Sequence, residues 1–148
     1  MMRRSSALLV ALQLGLIAVI VLGTGWPVSP RAWPLAIFLL AMSVVLGVWT
    51  LGHNRWGNFA ILPELRTGAR LVTSGPYRWI RHPMYTAVLL GATAFTAADA
   101  SAWRIAAWIA LAAVLIAKAI REESYLRAAF PEYAAYASRT RRFIPFVL

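Results

Sequence analysis

The chain reads MYTAVLLGATAFTAA from Met84 to Ala98 and AWRIAAWIALAAVLIA from Ala102 to Ala117, with only Asp99-Ala100-Ser101 in between. A three-residue connection between two apolar runs predicts a helical hairpin, whose two helices run antiparallel. At about 1.5 Å of rise per residue, each helix is about 21–24 Å long. Because the hydrocarbon core of a bilayer is about 30 Å thick, the hairpin must either use flanking residues and a thinned bilayer to cross, or enter as a re-entrant hairpin.

Two further apolar runs precede this hairpin. Ala7–Gly23 is uncharged, with Gln13 as its polar exception, and Trp33–Gly52 is also uncharged. Both have the length of about 20 residues that a transmembrane helix needs. The sequence therefore predicts an all-α polytopic membrane protein, a single domain with about four spans near residues 7–23, 33–52, 84–98 and 102–117. A cleaved signal peptide ending near Gly23 is the alternative for the first run.

Composition supports a membrane protein. Of 148 residues, 61% are hydrophobic and 14% are charged, whereas soluble domains are about 45–50% apolar and about 25% charged. The net charge of +10 would suit nucleic acid, but the hydropathy favours anionic lipid head groups as its partners and no nucleic acid. Cysteine is absent and there are two histidines. Disulfides, thiolate metal sites and cysteine nucleophiles are thereby excluded, and no metal site is expected.

Charge placement predicts the orientation. If all four runs cross, thirteen of the fifteen basic residues share one side with both termini, the middle loop His53–Pro83 and the tail after Ala117. Only Arg31 and Arg104 fall on the other side. The positive-inside rule then makes the crowded side cytoplasmic, and the alanine- and arginine-rich composition favours a bacterial inner membrane. The tail is expected to continue the fourth helix to Phe130, break at Pro131 and form a short helix over residues 132–139.

The hairpin brings distant residues to one level. If levels pair around residue 100, His82 lies level with Lys118, while Tyr77 and Arg78 lie level with the doublet Glu122-Glu123. Taken singly, these residues have ordinary explanations: aromatic side chains form interfacial belts, arginines anchor head groups, and a glutamate doublet can lie on a solvated helix face with intrahelical pairs. Together they predict a charged and aromatic cluster at the cytoplasmic interface.

Two motifs in this cluster occur in order. The first is Gly75–Tyr85 (GPYRWIRHPMY), and the second begins with Arg121-Glu122-Glu123 and continues with Leu126, Phe130, Glu132-Tyr133, Tyr136, Thr140, Arg142 and Ile144-Pro145. Together, over about residues 71–146, they resemble the isoprenylcysteine carboxyl methyltransferase and phospholipid methyltransferase superfamily. The resemblance implies an integral membrane enzyme that holds S-adenosylmethionine at the cytosolic side with the 75–85 motif and the 121–145 tail. It also implies a fold unlike the Rossmann methyltransferases, and the chain has no strand–glycine loop–helix fingerprint.

The resemblance implies a set of cofactor-binding residues: Tyr77, His82, Pro83, Tyr85, Glu122, Glu123, Tyr136 and Arg142. A carboxylate suits the ammonium group of the cofactor, so Glu122 or Glu123 is expected there. A basic group or backbone N–H suits its carboxylate, which Arg142, His82 or the turn at Gly75 could bind. The rings of Tyr85 or Tyr136 could flank the adenine or the sulfonium.

The expected reaction is methyl transfer to a lipophilic acceptor that enters from the bilayer, most readily a carboxylate. Arg81 is the first candidate to bind that carboxylate and Arg78 the second. A phospholipid amine is the alternative acceptor, and it would need His82 or a glutamate as general base. Two other functions stay open: an NADPH-dependent enzyme similar to the sterol reductases, and a membrane scaffold without catalysis.

Overall fold

The computed structural model describes residues 2–23, 30–54 and 70–145. Over these ranges it contains no strand, and its α-helices are α1 (Met2–Leu22), α2 (Trp33–His53), α3 (Pro83–Ala98), α4 (Ala102–Ala129) and α5 (Tyr133–Arg139). The prediction of an all-α fold is confirmed. Several predicted features lie outside the described residues: Arg55 and Arg66 of the middle loop, most of the first outer connection, and part of the possible cleavage site. Their predicted placement stays a prediction.

Among the residues that the structure describes, three helices are long and apolar enough to cross a bilayer: α1 from Ser5, α2 and α4. The protein is accordingly an integral membrane protein. Other parts of the chain bury only 11% of the apolar stretch of α1 and 11% of that of α2. Side chains such as Phe38 and Val45 are about 60% exposed. Lipid is the solvent that such faces require. Helix α3, with 16 residues, is shorter, so its full crossing stays a prediction.

Helix α3 lies at the centre and contacts α1, α2 and α4. Small residues allow its close approach to α2. Ser43 donates a 2.7 Å hydrogen bond to the carbonyl of Ala87, and a Cβ atom on Gly91 would lie 3.0 Å from the same hydroxyl oxygen. Membrane helices pack through small residues because lipid tails supply no hydrophobic drive for association. On its other side, α3 meets a core of Ile20, Leu111 and Leu115 from α1 and α4.

Arg104 joins three helices at the end of the bundle opposite the tail. Its side chain is fully buried. It donates to the carbonyls of Gly23, Phe95 and Asp99, which lie at or just beyond the ends of α1 and α3, and it pairs with the Asp99 carboxylate at 2.9 Å. Carbonyls at a helix end lack intrahelical partners and attract cations. Arg104 is therefore a cap for the hairpin turn.

The tail follows the predicted course. Helix α4 runs without interruption past the hairpin to Ala129. The chain turns at Pro131, which cannot continue a helix, and α5 begins at Tyr133. Both tyrosines of α5, Tyr133 and Tyr136, are buried, so the short helix folds back onto the protein.

Candidate active site

The backbone of the tail pairs with the segment before α3. The N–H of Arg81 donates to the carbonyl of Arg141 at 2.7 Å, and the N–H of Arg141 donates to Trp79 at 2.9 Å. One step further, the N–H of His82 donates to the carbonyl of Arg142 at 3.1 Å. Because these bonds form a short parallel bridge, the side chains of residues 81, 82 and 142 project from a common frame.

A left-handed turn starts the first motif. Gly75 has a φ of +58°, and a Cβ atom there would collide with the ring of His53 at the end of α2. Glycine is the residue that meets both conditions without strain. Pro76 follows and is buried at the start of a single 3₁₀ turn. The carbonyl of the next residue, Tyr77, accepts a 2.9 Å hydrogen bond from the hydroxyl of Tyr136, which holds the motif against α5.

Glu123 is surrounded by cations. Arg142 binds its carboxylate through two bonds, Nε to Oε1 at 2.9 Å and Nη2 to Oε2 at 3.0 Å. Arg81 Nε lies 3.1 Å from Oε1, and His82 Nε2 lies 3.2 Å from the same oxygen. Only 4% of the Glu123 side chain is exposed. The two motifs therefore converge as predicted, and their junction is a buried ion network rather than a solvated helix face.

Glu122, its neighbour, has a different environment. A third of its side chain is exposed, and no arginine reaches it within the described residues. Its Oε2 accepts a 3.0 Å hydrogen bond from the Tyr85 hydroxyl and lies 3.6 Å from His82 Nδ1. Burial is the main cause that raises the pKa of the Tyr77 hydroxyl, and the negative charge of Glu122 is the second. The Tyr77 hydroxyl is therefore a second phenol close enough to interact with Glu122. Glu122 is thus a partly exposed glutamate beside aromatic rings.

His82 lies between the two glutamates and is 5% exposed. Its ring stacks on that of Tyr85, with 5.4 Å between the centroids and 4° between the planes. Burial alone would lower its pKa, but hydrogen bonds and charge from Glu122 and Glu123 outweigh burial and raise the pKa above the usual value. The charged imidazolium can donate to both glutamates at once, which the neutral ring cannot.

Arg81 forms hydrogen bonds to α4, to α5 and to the residue that follows α5. Besides its bond to Glu123, its Nη1 donates to the carbonyls of Ala137 and Thr140 and to the Thr140 hydroxyl. Its side chain is 11% exposed. These contacts connect α4, α5 and the strand-like tail through one guanidinium. They favour a positioning role for Arg81, and its binding of the acceptor stays a prediction.

The remaining predicted site residues are Arg78, Pro83 and Tyr136, and each has a different environment. Arg78 is exposed, its guanidinium lies over the ring of Trp79 at 5.6 Å, and it forms an ion pair with neither glutamate. Pro83 is buried at the start of α3. Tyr136 is 3% exposed, and burial raises its pKa to about 12. Because its ring is enclosed and its hydroxyl is bonded, Tyr136 supports the first motif more readily than it could stack on a ligand.

The register of the hairpin differs slightly from the prediction. His82 meets Glu122 and Glu123 rather than Lys118, and Lys118 instead lies with its Nζ 5.2 Å from the centre of the Tyr85 ring. Helical side chains lean toward the N-terminus of their helix. Because α3 and α4 are antiparallel, their side chains lean in opposite directions. Residues near the start of α3 therefore meet residues further along α4 than equal levels predict, whereas the Trp108–Thr93 hydrogen bond nearer the turn keeps the predicted register.

Sequence reasoning missed two residues that contact the site from other parts of the chain, Gln13 and Phe143. Lys118 donates a hydrogen bond to the side-chain oxygen of Gln13 in α1, and the Thr86 hydroxyl donates to the carbonyl of Phe143 at 2.8 Å. Gln13 carried a signal, because it is the polar exception in an otherwise apolar run. Nothing in the sequence marks Phe143.

Comparison with known proteins gives the chain its relatives. The family model described as "Phospholipid methyltransferase" matches residues 32–133. The "Cobalt-zinc-cadmium resistance protein CzcN" of Cupriavidus metallidurans is 32% identical over 137 residues, covering 75% of this chain and 63% of the relative. The "Nickel-cobalt-cadmium resistance protein NccN" of Alcaligenes xylosoxydans xylosoxydans is also 32% identical over 137 residues, covering 75% and 64%. The chain therefore spans just under two thirds of the length of these curated relatives.

Proposed function

Because this chain belongs to the phospholipid methyltransferase family, we propose that it transfers a methyl group from S-adenosylmethionine to a lipophilic acceptor at the cytoplasmic face of a bacterial inner membrane. The observation that carries the proposal is the difference in environment between Glu122 and Glu123. Glu123 is neutralised by three basic side chains, whereas Glu122 has no arginine partner among the described residues, keeps a third of its side chain exposed and lies beside aromatic rings. An anionic site lined by aromatic rings suits an organic cation.

The side chains present fit the charges of this cofactor. Glu122 would bind its ammonium group, with Tyr85 and Tyr77 beside it. Arg142 would meet its carboxylate, because 35% of the Arg142 side chain stays exposed although Glu123 holds one edge of the guanidinium. When bound, the cofactor supplies an electrophilic methyl group, so that a bond from an acceptor oxygen to the methyl carbon forms while the carbon–sulfur bond breaks and its electron pair stays on sulfur.

A carboxylate acceptor agrees best with the state of His82. A carboxylate oxygen already has a free electron pair, and its methylation releases no proton. An amine must lose one, which requires a general base. His82 is the imidazole between the two glutamates, and their hydrogen bonds and charge raise its pKa and favour the protonated form. The protonated ring has no free nitrogen with which to accept a proton. The family description favours a phospholipid amine as the second candidate acceptor.

Calorimetry with S-adenosylhomocysteine on detergent-purified protein tests the cofactor site. This product retains the ammonium group and the carboxylate. A charge-assisted hydrogen bond contributes about 1.5–3 kcal/mol, so Glu122→Gln should weaken binding by about 10- to 100-fold. Glu132→Gln removes an exposed glutamate at the start of α5 and should bind like the wild type.

Three results would overturn the proposal. The first is no binding by the wild type. The second is equal affinity for the wild type and Glu122→Gln, which would remove Glu122 from the site. The third is binding of NADPH instead, which would favour the reductase-like alternative. A membrane scaffold would bind neither ligand.

A further inference from the structure

Lys118 is a buried cation that the proposed cofactor site does not use. It is 3% exposed and lies on α4, one helical turn before Glu122 and about 6 Å further from the cytosolic end. This part of α4 belongs to a helix that is apolar enough to span a membrane. Ionisable side chains inside such segments are costly, and they usually mark functional sites.

The contacts of Lys118 leave its charge incompletely satisfied. Among the described residues, its ammonium group makes one hydrogen bond, to Gln13 Oε1, and lies over the Tyr85 ring at 5.2 Å. An ammonium group has three donors, and no described carboxylate lies within ion-pair distance of this one. Glu122 attracts it only from further away.

Arg104 provides the comparison on the same helix. It is also fully buried, but it has a carboxylate partner at 2.9 Å and three carbonyl acceptors. These contacts explain why a buried charge is tolerated there, since Arg104 caps the helix ends. Lys118 has neither a carboxylate partner nor a backbone carbonyl acceptor among the described residues, and its one acceptor is the neutral amide of Gln13.

Tyr85 connects Lys118 to the proposed cofactor site. Its ring lies beneath the ammonium group of Lys118, and its hydroxyl donates to Glu122. A molecule held at Lys118 would therefore lie on the bilayer side of Tyr85, while a cation held at Glu122 would lie toward the cytosol. This is the order that methyl transfer requires when the donor arrives from water and the acceptor from lipid.

We propose that Lys118, together with the amide of Gln13, binds the negatively charged head group of the lipophilic acceptor, a carboxylate or a phosphate. The inference rests on the proposed methyl transfer and names the acceptor class for that site. Lys118 thereby takes the role that sequence reasoning gave to Arg81. The anion would accept hydrogen bonds from the Lys118 ammonium group, and the Gln13 N–H₂ group offers a second donor beside it.

The test uses purified protein, tritiated S-adenosylmethionine and a lipid extract of bacterial membranes as the source of acceptor. Lys118→Met keeps most of the side-chain length and removes the charge. It should raise the extract concentration for half-maximal transfer at least tenfold, while the affinity for S-adenosylhomocysteine stays within about twofold of the wild type. Lys118→Arg should retain most of the transfer. Arg127→Met, an exposed basic residue on the same helix, is the control and should behave like the wild type.

Amphiphiles identify the head group. Palmitate or hexadecyl phosphate should inhibit transfer by the wild type, hexadecylamine should not, and the inhibition should disappear in Lys118→Met. Products that lose the label in mild base are methyl esters and indicate a carboxylate acceptor. Base-stable products are methylated amines and indicate a phospholipid anchored by its phosphate.

The possible failures can be told apart. If the wild type neither binds S-adenosylhomocysteine nor transfers label, the proposed function fails and this inference fails with it. If the wild type is active and Lys118→Met has the same half-maximal extract concentration, the inference alone is wrong. Parallel loss of cofactor affinity in Lys118→Met would also overturn it. Gln13→Leu is the second variant, because it keeps the Lys118 cation and removes the proposed second donor. It should raise the half-maximal concentration about three- to tenfold, and retained affinity for S-adenosylhomocysteine shows that the variant is folded.

Discussion

Replacing Glu123 by Gln would leave three cations facing a neutral amide in a buried pocket. Arg81, His82 and Arg142 together donate four hydrogen bonds to this carboxylate. Removing one partner of a buried ion pair costs about 3–5 kcal/mol because the remaining charge loses its compensation. Arg142 can turn toward water, since 35% of its side chain is exposed, so we expect the lower end of this range, about 3 kcal/mol.

Thermal unfolding in detergent measures this loss. For a chain of about 150 residues, 1 kcal/mol corresponds to about 2–4 °C in Tm, so Glu123→Gln should unfold about 6–12 °C below the wild type. Limited trypsin digestion should also cleave at Arg139 and Arg141 faster, because the network holds the tail against the first motif. Glu132→Gln is the control and should change Tm by less than about 2 °C.

A double-mutant cycle gives the sharper test. If Glu123 and Arg142 stabilise each other, the loss in the double variant Glu123→Gln/Arg142→Met should be smaller than the sum of the two single losses by about 1–3 kcal/mol. Simple additivity, or an unchanged Tm for Glu123→Gln, would refute the claim that this carboxylate organises the network.

Three further predictions concern stability. Arg104→Met should lower the free energy of unfolding by about 2–4 kcal/mol through loss of the helix cap, with unchanged S-adenosylhomocysteine affinity; a loss of affinity would show that Arg104 acts on the site. His82 has a raised pKa, so its stabilising contribution should be complete below its unfolded pKa of about 6.5 and disappear as the pH rises through the folded value; a Tm–pH profile that His82→Gln leaves unchanged would contradict this. Gly75→Ala should cost at least about 1–2 kcal/mol, because φ is positive and the new Cβ meets His53; a wild-type Tm would show that the turn can rearrange.

The sequence alone was sufficient for the architecture. Apolar runs of 15–20 residues have few stable solutions in lipid, and a three-residue connection forces an antiparallel hairpin. Those constraints act over short distances along the chain, so they can be recognised without coordinates. They also bring residues 75–85 and 121–123 together, since a hairpin of known length places its two ends at one level.

Only the tertiary structure separated the environments of the two glutamates. Adjacent residues on a helix point about 100° apart, and which of them faces the arginines depends on how the tail pairs with residues 79–82. The same docking encloses Arg81, and the packing of α1 against α4 places Gln13 beside Lys118, 105 residues away in sequence. Such contacts depend on the rotation and tilt of whole helices, which hydropathy and spacing leave undetermined, because an apolar helix face can turn by tens of degrees at little cost in lipid.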